Sequence, residues 1–86
     1  MSSYNVILTR SAQKELESLN PQMVKKIFAK IENLTVHPRP TGCVKLQGHN
    51  ELWRIRVGDF RIIYSIDDKH HIVDVNCIRH RRDAYK

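Results

Sequence analysis

Leu52-Trp53-Arg54-Ile55-Arg56-Val57-Gly58-Asp59-Phe60-Arg61-Ile62-Ile63-Tyr64 reads as a β-hairpin. Gly58-Asp59 stands between two runs of β-formers, and a two-residue turn there needs the positive φ that glycine supplies. Such a turn sets Val57 opposite Phe60, Arg56 opposite Arg61, Ile55 opposite Ile62 and Trp53 opposite Tyr64. Strand alternation then gathers Trp53, Ile55, Val57, Phe60, Ile62 and Tyr64 on one apolar face. Arg54, Arg56 and Arg61 share the other face. Like charges opposed across strands destabilise a sheet by about 0.2–1 kcal/mol. Their tolerance here points to an anionic ligand, with phosphate the leading candidate.

Outward from the hairpin, the first half of the chain is helical after a short strand at Tyr4 to Leu8. Ser11 to Leu19 predicts a helix with Ala12, Leu16 and Leu19 inward. Asn20 is the N-cap of a second helix, with Pro21 at its first position. Met23, Ile27, Ile31 and Leu34 recur at helical spacing, and Val24 and Phe28 widen that stripe. Lys25, Lys26 and Lys30 fall outside it. His37-Pro38-Arg39-Pro40-Thr41-Gly42 ends the helix and opens a loop.

The second half is strand-rich. Val44 to Leu46 is a brief strand, followed by a turn at Gly48-His49-Asn50 and then the hairpin. Asp67-Asp68-Lys69-His70 makes the next turn. His71 to Arg79 forms the last strand, with Val73, Val75 and Cys77 alternating against Asp74 and Asn76. The expectation is an α+β two-layer domain spanning residues 1–86, ordered β-α-α-β-β-β-β. Its two helices cover one face of a mainly antiparallel sheet, leaving the arginine face open.

Composition narrows the class. The 86 residues are 41% hydrophobic with three Gly and three Pro, enough for one modest core and too apolar for disorder. A formal charge of +6 favours nucleic acid, an acidic protein or an anionic surface as partner. No apolar run is long enough for a membrane span, and the first residues lack the pattern of a secretory signal. Cys43 and Cys77 lack metal-ligand spacing and read as two reduced thiols of a cytoplasmic protein.

Chemistry concentrates on the open face and the end of the last strand. A guanidinium fork matches phosphate oxygens bidentately, so Arg54, Arg56 and Arg61 can line a groove for a phosphodiester backbone. The competing reading is a basic face that serves solubility. Arg79, His80, Arg81 and Arg82 follow, with Tyr85 beyond, adding a titratable imidazole and a ring able to stack on a base. Together these resemble an RNA-cleaving site. No glycine-rich loop cradles a nucleotide. The adjacent His70 and His71 point apart on an extended chain and are poor joint metal ligands. Ser65 has no evident base, and Glu15 and Glu17 lie on different helix faces. The expected chemistry uses neither metal nor cofactor.

Leu46-x-Gly48, then Trp53 to Tyr64 of the hairpin, then His80-Arg81-Arg82-Asp83-Ala84-Tyr85, resembles the RelE branch of the RelE/ParE toxin superfamily. The likeness covers nearly the whole chain. It implies a toxin of a type II toxin–antitoxin pair that enters the ribosomal A site and cleaves mRNA there. Carried over by position, the cleavage residues are Arg54, Arg56, Arg61, Arg79 and Tyr85, with Lys45 a further basic residue near the RNA path. The implied reaction is attack of a ribose 2′-hydroxyl on the adjacent phosphate, leaving a 2′,3′-cyclic phosphate and a 5′-hydroxyl. Arg61 and Arg54 are expected to stabilise the phosphate, Arg79 to serve the leaving oxygen, and Tyr85 to stack on or orient the base.

One departure bears on proton transfer. Family members carry Lys where this chain has Arg54 and Arg56, and one of those lysines is assigned as base. Arginine stays protonated, so Arg56 is a poor general base. Either attack depends on electrostatic stabilisation, or His80 serves as the acid–base group. A different class of function is open as well: the ParE branch binds DNA gyrase and cleaves nothing, and an inactive relative would only bind RNA or its antitoxin. The resemblance also implies a cognate antitoxin that blocks the basic face. DNA would be met only through that antitoxin, since nothing in the chain resembles a DNA-reading helix.

Overall fold

The computed structural model describes residues 3–46 and 52–80. The turn expected at Gly48-His49-Asn50, and Arg81, Arg82 and Tyr85 of the tail, lie outside those residues. Seven elements run in order: β1 (Asn5–Leu8), α1 (Arg10–Glu17), α2 (Pro21–Asn33), β2 (Val44–Lys45), β3 (Leu52–Val57), β4 (Phe60–Asp67) and β5 (Ile72–His80). The strands form a single sheet ordered β1-β5-β4-β3-β2. β1 runs parallel to β5, and the other pairs are antiparallel. This is the two-layer α+β arrangement that the residue patterns predict.

The hairpin carries the expected register, from Val57↔Phe60 and Arg56↔Arg61 through to Trp53↔Tyr64. Gly58 has φ +59, whereas Asp59 is not among the positive-φ residues. A single left-handed residue at the first turn position is the signature of a type II′ turn, whose twist matches the flanking strands.

Both helices begin on a side-chain cap. Asn20 accepts a hydrogen bond from the Met23 N–H at 2.9 Å, with Pro21 opening α2. Thr9 does the same for the Ala12 N–H at 3.1 Å, so α1 starts at Arg10, one residue earlier than its apolar spacing predicts. The Thr9 hydroxyl also donates to the Asn76 carbonyl at 2.7 Å, fixing α1 against β5 where β1 ends. Between them these bonds satisfy helix-end donors that burial would otherwise leave costly.

The core lies between the helices and one sheet face. Ala12, Ile27, Ile31 and Leu34 meet Ile55, Val57, Ile62, Tyr64, Ile66, Val73, Val75 and Ile78. Each aliphatic chain buried there contributes about 1.5–3 kcal/mol by leaving water. Tyr64 is fully buried, and its hydroxyl donates to the Pro38 carbonyl at 2.8 Å, pinning the loop that leaves α2. Burial holds its phenol well above the ordinary range. Phe28, by contrast, is 47% exposed, so the apolar stripe of α2 is narrower than its sequence suggests.

One irregularity reorganises β5. Ile63 pairs with Cys77 but Tyr64 pairs with Val75, so β5 carries an extra residue in a β-bulge. Val73 and Val75 are buried, and the next buried residue is Ile78 rather than Cys77. Cys77, expected inside with the two valines, instead shares the face of its partner Ile63 and is only half-buried. Unbroken alternation would have turned Ile78 outward and Arg79 toward the helices.

Candidate functional site

Direct cross-strand partners project from the same side of a sheet, so the register assigns every side chain on the open face. Arg56 of β3 stands opposite Arg61 of β4, and Arg61 stands opposite Arg79 of β5. Three guanidinium side chains thus form one row across three strands. The next row is Val44, Arg54, Ile63 and Cys77. Farther from the hairpin turn come Leu52, Ser65, Asp74 and Ile7, followed by Asp67 and Ile72. The open face is therefore cationic near the Gly58 turn, apolar across its middle and acidic at its far end.

Of the expected site residues, Arg54, Arg56, Arg61 and Arg79 come together. The bulge is what admits Arg79 to the group. His80 and Lys45 do not join them. His80 pairs with Phe60 and meets its ring edge-on, with centroids 5.1 Å apart and planes at 87°. That contact lies on the side of Phe60 and the core, across the sheet from the arginines. Lys45 pairs with Trp53, so it too shares the helix-side face at the sheet edge. The bulge decides His80's side, and a β2 of only two residues fixes that of Lys45.

Sequence reasoning missed Glu15. From α1 its carboxylate reaches the end of β5, where Oε1 accepts the Ile78 N–H at 3.0 Å. Oε2 lies 3.8 Å from Nη1 of Arg79. One side chain satisfies a backbone donor beyond the end of β1 and sets an anion beside Arg79. The pair is separated by 64 positions, and no local spacing advertises it.

The two adjacent histidines diverge, but in the β4–β5 turn rather than on an extended chain, and His71 has φ +56. His70 Nδ1 lies 2.8 Å from the Asp67 carboxylate, and that contact draws the Asp67 carboxyl below its usual range. His71 stacks on Tyr4 with ring centroids 4.9 Å apart. A second cluster lies nearby at the far end of the sheet. Arg39 grips Asp68 with two hydrogen bonds of 2.8 and 3.2 Å, and Tyr4 donates to the same carboxylate at 2.6 Å. The guanidinium, then the phenol, hold Asp68 down to about 2. Arg39 also sits over the Trp53 ring, 5.1 Å from its centre. This clasp joins the loop after α2 to the β4–β5 turn, and it uses its cation internally.

The open face differs from that clasp in chemistry. Arginines in a row, with Arg54 beside them, can take several oxygens of a phosphodiester at once and hold charge that develops on phosphorus.

Comparison with known proteins agrees with this geometry. The family model described as ParE toxin of type II toxin–antitoxin system, parDE, matches residues 6–85. A protein of Methanocaldococcus jannaschii that carries the toxin name RelE1 is 33% identical over 86 residues, covering 96% of each chain. Toxin RelE of Mycobacterium tuberculosis is 30% identical, over 96% of this chain and 87% of that protein. Among solved structures, the archaeal RelE–RelB complex of Pyrococcus horikoshii contains a chain 28% identical that superposes with a TM-score of 0.82. The match covers 91% of this chain and 94% of that one. Fold and basic face together define a class, the type II toxins of the RelE/ParE superfamily. The chain belongs to that family, in its RelE branch.

Proposed function

We propose that this toxin is a ribosome-dependent endoribonuclease that cuts mRNA in the A site and so stops translation. The single observation behind this reading is the arginine row Arg56–Arg61–Arg79, with Arg54 beside it, on a sheet face that the helices leave open. A toxin that only blocks gyrase has no need of four arginines gathered on one open face. The 86 residues would act as one domain, in the cytoplasm where ribosomes are met. The RelE–RelB complexes of Pyrococcus horikoshii and Mycobacterium tuberculosis pair their RelE chains with an antitoxin. A cognate antitoxin that covers the basic face is proposed here by the same likeness.

The reaction needs no metal in this reading. The ribose 2′-oxygen attacks the neighbouring phosphorus, the bond from phosphorus to the 5′-oxygen breaks, and a 2′,3′-cyclic phosphate remains. The proton of the 2′-hydroxyl leaves to an acceptor, and the departing 5′-oxygen gains one. Arg61 and Arg54 neutralise the charge growing on the phosphorane oxygens, and Arg79 stabilises the leaving oxygen. Glu15 positions Arg79 from behind. Tyr85 stacks on or orients the base, and Arg81 and Arg82 extend the phosphate contacts. Arg56 remains a cation and cannot take the proton. Electrostatic stabilisation with water as proton acceptor is the primary route. Acid–base work by His80 is the second, and its position beside Phe60 makes it the lesser of the two.

Primer extension on programmed ribosomes tests this reading, with Arg61→Ala as the control. Cuts inside the A-site codon that vanish in the control are expected. Toxicity in cells without any cut would sink the nuclease and turn the reading to gyrase binding.

A further inference from the structure

A pocket of about 240 Å³ opens where β3 loses its outer neighbour. β2 pairs with β3 only through Val44↔Arg54 and Lys45↔Trp53, so no strand of the described residues flanks Ile55 to Val57 on that side. The Leu46 N–H donates to the Leu52 carbonyl, which shows that the even-numbered residues of β3 aim their backbone groups toward this edge. The amide of Arg56 accordingly faces the pocket. Lys30 and Asn33 of α2 form the opposite wall, and Pro40-Thr41-Gly42 closes one end. That end is a type II turn: the Cys43 N–H donates to the Pro40 carbonyl at 3.0 Å and Gly42 has φ +93.

Among the described residues the lining has a single electrical sign. Lys30, Arg54 and Arg56 are cationic, Asn33 and Thr41 bring neutral hydrogen-bonding groups, and none of the described lining residues is a carboxylate. Among the described residues no carboxylate pairs with Lys30. Two of its cations, Arg54 and Arg56, also belong to the open face, so the pocket is continuous with the proposed cleavage site. An extended anion held by Arg54 and Arg61 would run its neighbouring charge over this edge.

We propose that this pocket is a second phosphate subsite, which binds the phosphate next to the one that is cut. Lys30 is its cation and Asn33 its hydrogen-bond donor. The proposal rests on the nuclease reading above. Lys30 is a positioning residue: it holds the strand so that the neighbouring phosphate lies over the arginine row, and takes no part in bond breaking. A polyanionic backbone matches the pocket better than an acidic peptide, since Arg54 and Arg56 belong to both the open face and the pocket.

The test is a double-perturbation cycle on programmed ribosomes. One perturbation is Lys30→Gln in the full chain. The other is a neutral methylphosphonate placed one step 5′ or one step 3′ of the cut. Each alone is expected to slow cleavage about ten- to hundredfold, as for a charged hydrogen bond. At one of the two positions the combined loss should equal the single loss, because both remove the same contact. Losses that multiply at both positions would overturn the subsite while leaving the nuclease standing. An unperturbed mRNA that the parent toxin fails to cut would instead overturn the underlying reading, and the subsite with it. Lys30 is exposed on α2, so Lys30→Gln is expected to melt with the parent.

Discussion

Arg61 and Arg79 are direct partners on neighbouring strands, with like charges on the same face of the sheet. Glu15 sets one carboxylate 3.8 Å from Arg79. A sheet built only for stability would place opposite charges there. On the nuclease reading this row is kept to hold a phosphate, and the consequences can be measured.

Arg61→Ala should lower cleavage on programmed ribosomes by about 10²–10³-fold, the usual loss for one donor to a developing oxyanion. Its folding stability should stay within about 1 kcal/mol of the parent, because a like-charge neighbour of Arg56 and Arg79 is removed. Primer extension and a urea melt read the two quantities separately. A large loss of stability would recast Arg61 as a structural residue.

Glu15 serves two partners, and two substitutions separate them. Glu15→Ala strands the Ile78 N–H at the end of β5 and should cost about 1–3 kcal/mol. Glu15→Gln keeps an acceptor for that N–H and should cost less than half as much. Chemical denaturation with an unchanged m-value checks both. Equal costs would show that the charge, not the backbone bond, is what matters.

The Asp68 clasp predicts a sign in acid. Asp68 is held at about 2 in the fold against 3.8 when free, so the unfolded chain takes up its proton first as pH falls. The stabilisation is present in full above about pH 4 and is lost as pH falls through the folded value. Asp68→Asn should therefore be less stable than the parent at pH 6, with the gap closing toward pH 2. Urea midpoints across that range decide it, and a gap that widens in acid would reject the assignment. Asp68 is exposed, so the difference should be modest and shrink with salt.

His80→Gln should cleave at the parental rate with the parental pH profile. This follows from its edge-on contact with Phe60, across the sheet from the arginines. A profile that loses a limb near neutral pH would restore His80 as the acid–base group.

What the sequence could reveal depended on how local the cause was. The hairpin register was legible because Gly58-Asp59 fixes it within thirteen residues, and the caps Asn20 and Pro21 act within a single turn. The bulge was harder. It shows in sequence only as buried apolar residues at Val73, Val75 and Ile78, a spacing of two and then three. A strict period of two missed that change and carried Cys77 to the wrong side; continued, it would also turn Arg79 toward the helices and His80 to the open face. Lys45 turned on its pairing with Trp53, and Glu15 on a contact between α1 and β5. Both depend on where distant segments dock, which neither periodicity nor motif spacing encodes.

The extra residue in β5 makes the sheet behave like a wave whose phase has slipped by half a cycle. Cys77 to His80 inherit that slip, so the polarity of the strand's last residues is set by counting rather than by chemistry. Removing one residue between Val75 and Ile78 would take out the bulge itself, leaving Ile78 inward and Arg79 outward in an unbroken alternation. For this chain a single-codon deletion at that point is a milder change than its place in a central strand suggests, because it regularises the ladder and leaves the inside and outside of the strand end where they were.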